Sequence, residues 1–192
     1  MSKIILLDLD GVVIRRHKYF SEKYSEDFKI PLEEILPFFK SDYKKAAKGE
    51  ISIREVLPSY LSKWGWKKTL DEFLSYWFES ERTLDQNVLK EVKDLRKKGN
   101  RLYLVSDNEQ ERAKYVMEKI GLKKEFDGAF FSYKLGHTKG EPEFFQKVVT
   151  ELKAKPSEVE YWDDDPKNVD VAKGVGINAR VYTSFEDFKK SI

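Results

Sequence analysis

Two aspartates one residue apart, Asp8 and Asp10, follow the apolar run Ile4-Ile5-Leu6-Leu7 and are followed in turn by Gly11-Val12-Val13. Side chains alternate along a strand, so both carboxylates point the same way at its carboxyl end. Like charges held that close repel each other, and the pair becomes useful when a cation binds between them or one acid stays protonated. Packing gives no ordinary reason for such a pair after a buried strand. Three other places carry similar polar groups at the edge of an apolar run: Ser106-Asp107-Asn108, Lys139, and Asp163-Asp164-Asp165. Hard oxygen ligands in this number suit Mg²⁺, which is commonly held by one or two carboxylates plus a substrate phosphate. Ser106, where a strand turns into a helix, would sit among free amides that form a natural phosphate cradle, and Lys139 would add a compact positive charge.

The elements that must position these groups alternate between strand and helix. Strands are expected at 101–106, 128–132, 158–162 and 178–182, with helices at 86–98, 109–120, 142–153 and 166–174. With the N-terminal strand included, this is the signature of a doubly wound α/β fold around a parallel sheet, in which ligands bind beyond the carboxyl ends of the strands. Asp163-Asp164-Asp165 before Pro166 suits a helix start, but three adjacent acids exceed what one cap needs.

Between the first strand and residue 83 the pattern is helical, with candidate helices at 17–29, 31–47, 52–63 and 68–80. Pro31 with Glu33 and Glu34 reads as a helix start, Gly49 as a stop, and Ser52 with Glu55 as a capping box. Tyr60, Trp64, Trp66, Phe73, Tyr76, Trp77 and Phe78 make an aromatic core for a small bundle. The expected division is therefore an α/β core over 1–14 and 83–192 interrupted by an all-helical domain over 15–82.

Composition removes several function classes. The chain has 192 residues, a formal net charge of +2 and no cysteine. Near-neutrality gives no pull toward nucleic acid or a membrane surface, and the lack of thiols excludes disulfides, thiolate metal sites and cysteine nucleophiles. With His17 and His137 as its only histidines, the sequence is poorly equipped for zinc. The apolar run before Asp8 is too short for a signal-peptide core, so a cytoplasmic protein is expected. Sequence leaves the oligomeric state open.

Asp8-Leu9-Asp10-Gly11-Val12, Leu104-Val105-Ser106-Asp107-Asn108, Gly136 to Phe145 around Lys139, and Tyr161 to Asn168 around Asp163-Asp164 resemble, in order, the four motifs of the haloacid dehalogenase superfamily of phosphohydrolases. The resemblance implies a Rossmann-like core with a helical cap inserted after the first motif. It implies Asp8 as nucleophile and Asp10 as acid and base, with Ser106, Asp107 and Lys139 on the substrate phosphate. Asp8, Asp10, Asp164 and Asp163 would hold Mg²⁺. Two positions depart from the family pattern: Gly140 stands where a proline usually follows the lysine, and Asp107 where asparagine is more frequent. The first would loosen that loop, and the second places an acid near an anion unless it points away.

The activity implied is Mg²⁺-dependent hydrolysis of a small, sugar-type phosphomonoester through an aspartyl phosphate. Two alternatives share the motifs, a phosphomutase and a non-catalytic module that binds metal and phosphate. Asp10 disfavours dehalogenation, which has no alkoxide to protonate. Arg15, Arg16, His17, Lys44, Lys45 and Lys48 are the residues of the inserted segment best placed in sequence to meet a leaving group.

Overall fold

A parallel sheet in the order β3-β2-β1-β4-β5 forms the centre of the computed structural model, which describes residues 2–192 apart from His17. The strands are β1 (Ile4–Asp8), β2 (Arg101–Ser106), β3 (Gly128–Phe131), β4 (Val159–Asp163) and β5 (Asn178–Val181). β1 is buried along its whole length, as a central strand covered on both faces must be. Its odd residues Ile5 and Leu7, with Leu9 just beyond the strand, pack on one face with α6 (Gln86–Lys97), α7 (Gln110–Lys114) and α11 (Phe185–Ser191), through Val88, Val92, Ala113 and Phe188. Its even residues Ile4 and Leu6 pack on the other face with α9 (Pro142–Leu152) and α10 (Pro166–Gly174), through Phe144, Phe145, Val148 and Val169. From β1 the chain runs outward to β2 and β3, then returns past β1 to β4 and β5. That reversal opens a crevice beyond the ends of β1 and β4.

Among the described residues, five helices lie between β1 and α6: α1 (Phe20–Phe28), α2 (Leu32–Lys40), α3 (Asp42–Ala47), α4 (Ile53–Lys63) and α5 (Leu70–Ser80). They enclose a separate apolar cluster of Phe20, Tyr24, Phe38, Leu57, Trp64, Phe73, Trp77 and Phe78. Phe20 stacks on Trp77 at 4.9 Å, so the aromatic residues of this segment form its interior. Trp66, Tyr60 and Tyr76 are half-buried at its edge.

Several expected boundaries shift for local reasons. The single helix expected over 31–47 is broken at Ser41, whose φ of −123° and ψ of −87° are not helical. Pro37 cannot donate within α2, and the Ser41 hydroxyl donates to the Pro37 carbonyl at 2.6 Å. The helix expected over 109–120 continues beyond α7 as a π-helical turn over Tyr115–Lys119. Ser52 accepts from the Arg54 amide instead of closing a box with Glu55, whereas Thr69 and Glu72 form a complete capping box at α5. The short helix α8 (Ser132–Leu135) and the C-terminal α11 carry too little periodicity to be read in advance. Among the described residues, no helix is long and apolar enough to cross a membrane.

Candidate active site

Register places the first acids. Leu7 pairs with Trp162, so the next residues, Asp8 and Asp163, emerge side by side on the face that carries Leu6 and Tyr161. Both are almost fully buried, and so is Lys139, which arrives on the loop between α8 and α9. The Lys139 ammonium donates to Asp8 Oδ1 at 2.5 Å and to Asp163 Oδ2 at 2.7 Å. Burial opposes charge on Lys139, but the carboxylates of Asp8 and Asp163 outweigh it and hold the amine protonated. Burial likewise opposes ionisation of Asp163, yet Lys139, the Tyr161 hydroxyl and the Asp165 amide bring its carboxyl below the ordinary range. Asp8 goes the other way: burial pushes its carboxyl well above that range, Lys139 opposes this, and Asp163 and Asp10 reinforce it. One ammonium is thus shared by two buried acids with more acids nearby, a charge deficit that a second cation would relieve.

The polypeptide turns sharply after Asp10. Gly11 adopts φ +107°, its amide donates to the Ile14 carbonyl, and a Cβ at this position would overlap the Asp164 carboxylate. Glycine is therefore required twice over, for the turn and for the approach of the two acidic loops. Carboxylate oxygens of Asp8, Asp163 and Asp164 all lie within 4.8 Å of one another. Of the acids after β4, Asp165 is the one that caps α10, by accepting the Lys167 amide at 2.9 Å. Asp163 completes the buried triad, and Asp164 is left half-exposed beside Gly11.

Beyond β2, the buried Ser106 hydroxyl accepts from Asn108 Nδ2 at 2.7 Å, and the same amide donates to Asp10 Oδ2 at 3.1 Å. Asn108 thereby ties the hydroxyl of the second motif to the second acid of the first. The Asp107 carboxylate accepts the Lys139 backbone N–H at 2.9 Å, which turns the acid into the Lys139 loop. Gly140 does not lie in the left-handed region, and a Cβ added there would meet nothing nearer than the Thr138 hydroxyl at 3.9 Å, so its backbone does not demand glycine.

Some residues beside the site had no distinct signal in the sequence. Arg112, on α7, is buried; it donates to Asp10 Oδ1 at 3.2 Å and to the Glu81 carbonyl at 2.8 Å. Tyr43 on α3 donates to Asn108 Oδ1 at 3.3 Å, a contact that depends on the break at Ser41. Glu109 caps α7 through the amides of Glu111 and Arg112, and burial pushes its carboxyl up to about 7.

The basic residues expected to face a leaving group separate in space. Arg15 pairs with Asp85 at 2.9 Å, Lys45 pairs with Asp42, and Lys44 is exposed. Lys48 reaches Glu141 at 2.9 Å, joining α3 to the start of α9. Arg16 enters the acidic site, where it donates to Asp164 and to the Asp10 carbonyl. His17 lies outside the described residues.

Comparison with known proteins shows the family and the fold. Residues 2–176 match the haloacid dehalogenase-like hydrolases. A D-ribitol-5-phosphate phosphatase of Bacteroides thetaiotaomicron is 26% identical over 140 residues, covering 70% of this chain and 68% of that protein. The crystal structure of a wild-type HAD family enzyme from Bacteroides thetaiotaomicron, in complex with magnesium and inorganic phosphate, superimposes with a TM-score of 0.78 at 22% identity and full coverage of both chains (100% and 100%). A predicted HAD-like hydrolase from Porphyromonas gingivalis gives the same TM-score of 0.78 at 19% identity, covering 100% of this chain and 96% of that one.

Proposed function

The chain belongs to the haloacid dehalogenase-like hydrolases, and from that premise we propose that it hydrolyses a small sugar or polyol phosphomonoester with Mg²⁺, through a phosphoaspartate on Asp8. The observation that carries this reading is the buried Lys139 shared by Asp8 and Asp163, with Ser106 at the neighbouring strand end. The D-ribitol-5-phosphate phosphatase relative supports the substrate class.

The oxygens present fit a hard divalent ion. Asp8 and Asp164 offer carboxylates and Asp10 its carbonyl, and the Arg16 guanidinium already bonds to the last two. Asp163, the further ligand expected from sequence, has Oδ2 taken by Lys139 and Asn168 and Oδ1 by the Asp165 amide. It therefore serves to hold Lys139. Mg²⁺ at this site supplies charge neutralisation for the phosphoryl oxygens and for the attacking carboxylate.

The chain's own groups do the rest. The Asp8 carboxylate attacks phosphorus while Lys139 and Ser106 hold the phosphoryl oxygens, and the P–O bond to the leaving group breaks. Asp10 gives its proton to the departing alkoxide and then takes one from the water that hydrolyses the phosphoaspartate, returning Asp8 and inorganic phosphate. Arg112 and Asn108 grip the two Asp10 oxygens and fix its direction. Helices α1–α5, with their own core, act as a cap domain over the site, and Tyr43 and Lys48 mark where it meets the site loops.

A phosphate-release screen over small phosphomonoesters, with Mg²⁺ or with chelator, tests the reading beside Asp8→Asn. Wild-type protein should release phosphate only with the metal, and the variant should be inactive while melting no lower, because it removes a buried charge. Equal turnover by both proteins would remove Asp8 as nucleophile; transfer of phosphate to a second hydroxyl would identify a mutase.

A further inference from the structure

Arg16 stands two residues beyond the turn at Ile14, on the segment that leads to α1. Its guanidinium donates from Nη2 to the Asp10 carbonyl at 2.7 Å and from Nη1 to Asp164 Oδ2 at 3.2 Å, and it lies over the Tyr19 ring at 5.3 Å. The two accepting oxygens come from different loops, one after β1 and one after β4. They are also two of the oxygens assigned above to Mg²⁺, and the inference rests on that assignment. Bound Mg²⁺ draws its oxygens in to roughly 2.0–2.1 Å, a distance that leaves no room for a guanidinium bonded to the same lone pairs.

We propose that Arg16 is a built-in competitor of the metal: it neutralises the Asp10 and Asp164 oxygens in the metal-free enzyme, leaves when Mg²⁺ enters, and sets how tightly the ion is held. The site's two cations are built differently for this. Lys139 is held between Asp8 and Asp163, with a side chain 6% exposed. The side chains of Arg16 and Asp164 are 34% and 31% exposed, so their pairing is accessible to water and weak. A divalent ion with two carboxylates to bind displaces such a contact readily.

Calorimetric titration of the metal-free full chain with MgCl₂ tests this without reference to turnover. Arg16→Gln should bind Mg²⁺ roughly three- to tenfold more tightly than wild type, since the competitor and its repulsion of the ion are both removed. Lys18→Gln removes the same charge from the same segment, but Lys18 pairs with Glu26 and does not reach the site, so its affinity should match wild type. The rise in melting temperature on adding MgCl₂ should be larger in Arg16→Gln than in wild type. Unchanged or weaker binding by Arg16→Gln overturns the competition, as does equal tightening by Lys18→Gln, which would reduce it to net charge. Failure of wild type itself to bind Mg²⁺ would instead overturn the metal assignment.

Discussion

The sheet end and the helical insertion solve opposite problems. At the sheet end, charges are buried in an interior that disfavours them, and they persist because Asp8, Lys139 and Asp163 hold one another across two loops. In the insertion the interior is a block of aromatic rings, and its charges stay outside. The two meet largely through polar and backbone contacts: Lys48 with Glu141, Tyr43 with Asn108, Arg54 with Glu111, and Gly49 against the Tyr133 carbonyl. Phe78 against Tyr115 is the aromatic exception. Buried Arg112 adds bonds to the Phe78 and Glu81 carbonyls. We propose that this junction parts to admit substrate while the buried charge network stays fixed.

Breaking the charge network should have the largest effect. Lys139→Met leaves two buried acids without their ammonium; phosphate release should fall by about 10²–10³-fold or more, and melting should shift down as well. An active, equally stable variant would mean that the network is ornamental. On the other side, Trp77→Ala opens the aromatic block and should cost about 3–5 kcal/mol in denaturant unfolding. If the two regions are separable, hydrogen exchange will rise in α1–α5 while β1, β2 and β4 stay protected; uniform loss of protection would show that they unfold as one.

The junction gives finer tests. Glu109 has a carboxyl raised to about 7, so the folded state binds its proton more tightly than the unfolded chain does. Its contribution is greatest near pH 4.5, declines as pH rises to about 7, and is flat above that, a span of up to about 3 kcal/mol. Glu109→Gln should flatten the stability profile across that window, and an unaltered slope would place its origin elsewhere. Gly49 has φ +73° and faces the Tyr133 carbonyl, so Gly49→Ala both strains the turn and pushes α3 off α8. A loss of about 1–2 kcal/mol is expected, with a raised KM, because the insertion no longer seats fully. Gly140→Ala should have the smallest effect, a gain of up to about 1 kcal/mol from a stiffer unfolded chain. A marked loss there would mean that the Lys139 loop needs glycine after all.

Legibility followed how local each signal is. The strands of the sheet were readable because buried parallel strands appear as short apolar runs, and the acids, Ser106 and Lys139 were readable because they stand at the ends of those runs or just before a helix. The break at Ser41 was not, since Pro37 sits in an otherwise periodic helix and its effect falls four residues later. In sequence, Arg16 belongs with Arg15 and Lys48 to one basic set. Only folding sent Arg15 to Asp85, Lys48 to Glu141 and Arg16 into the site. Arg112 and Tyr43 left no distinct mark, because an arginine or a tyrosine on a short helix reads as a surface residue until its buried partners are known.

By itself, then, the amino-acid sequence determined the alternation of strands and helices, the position of the aromatic insertion, and the side chains that gather beyond the strand ends, because periodicity of two or of about 3.6 and the residue after a strand are properties of neighbours in the chain. The tertiary structure decided how those side chains divide their charge. It paired Lys139 with both Asp8 and Asp163, turned Asp107 away to the Lys139 amide, and set Arg16 on the Asp10 and Asp164 oxygens. Each of these joins loops distant in sequence, and with several acids and bases within reach, only the packed arrangement selects which meet.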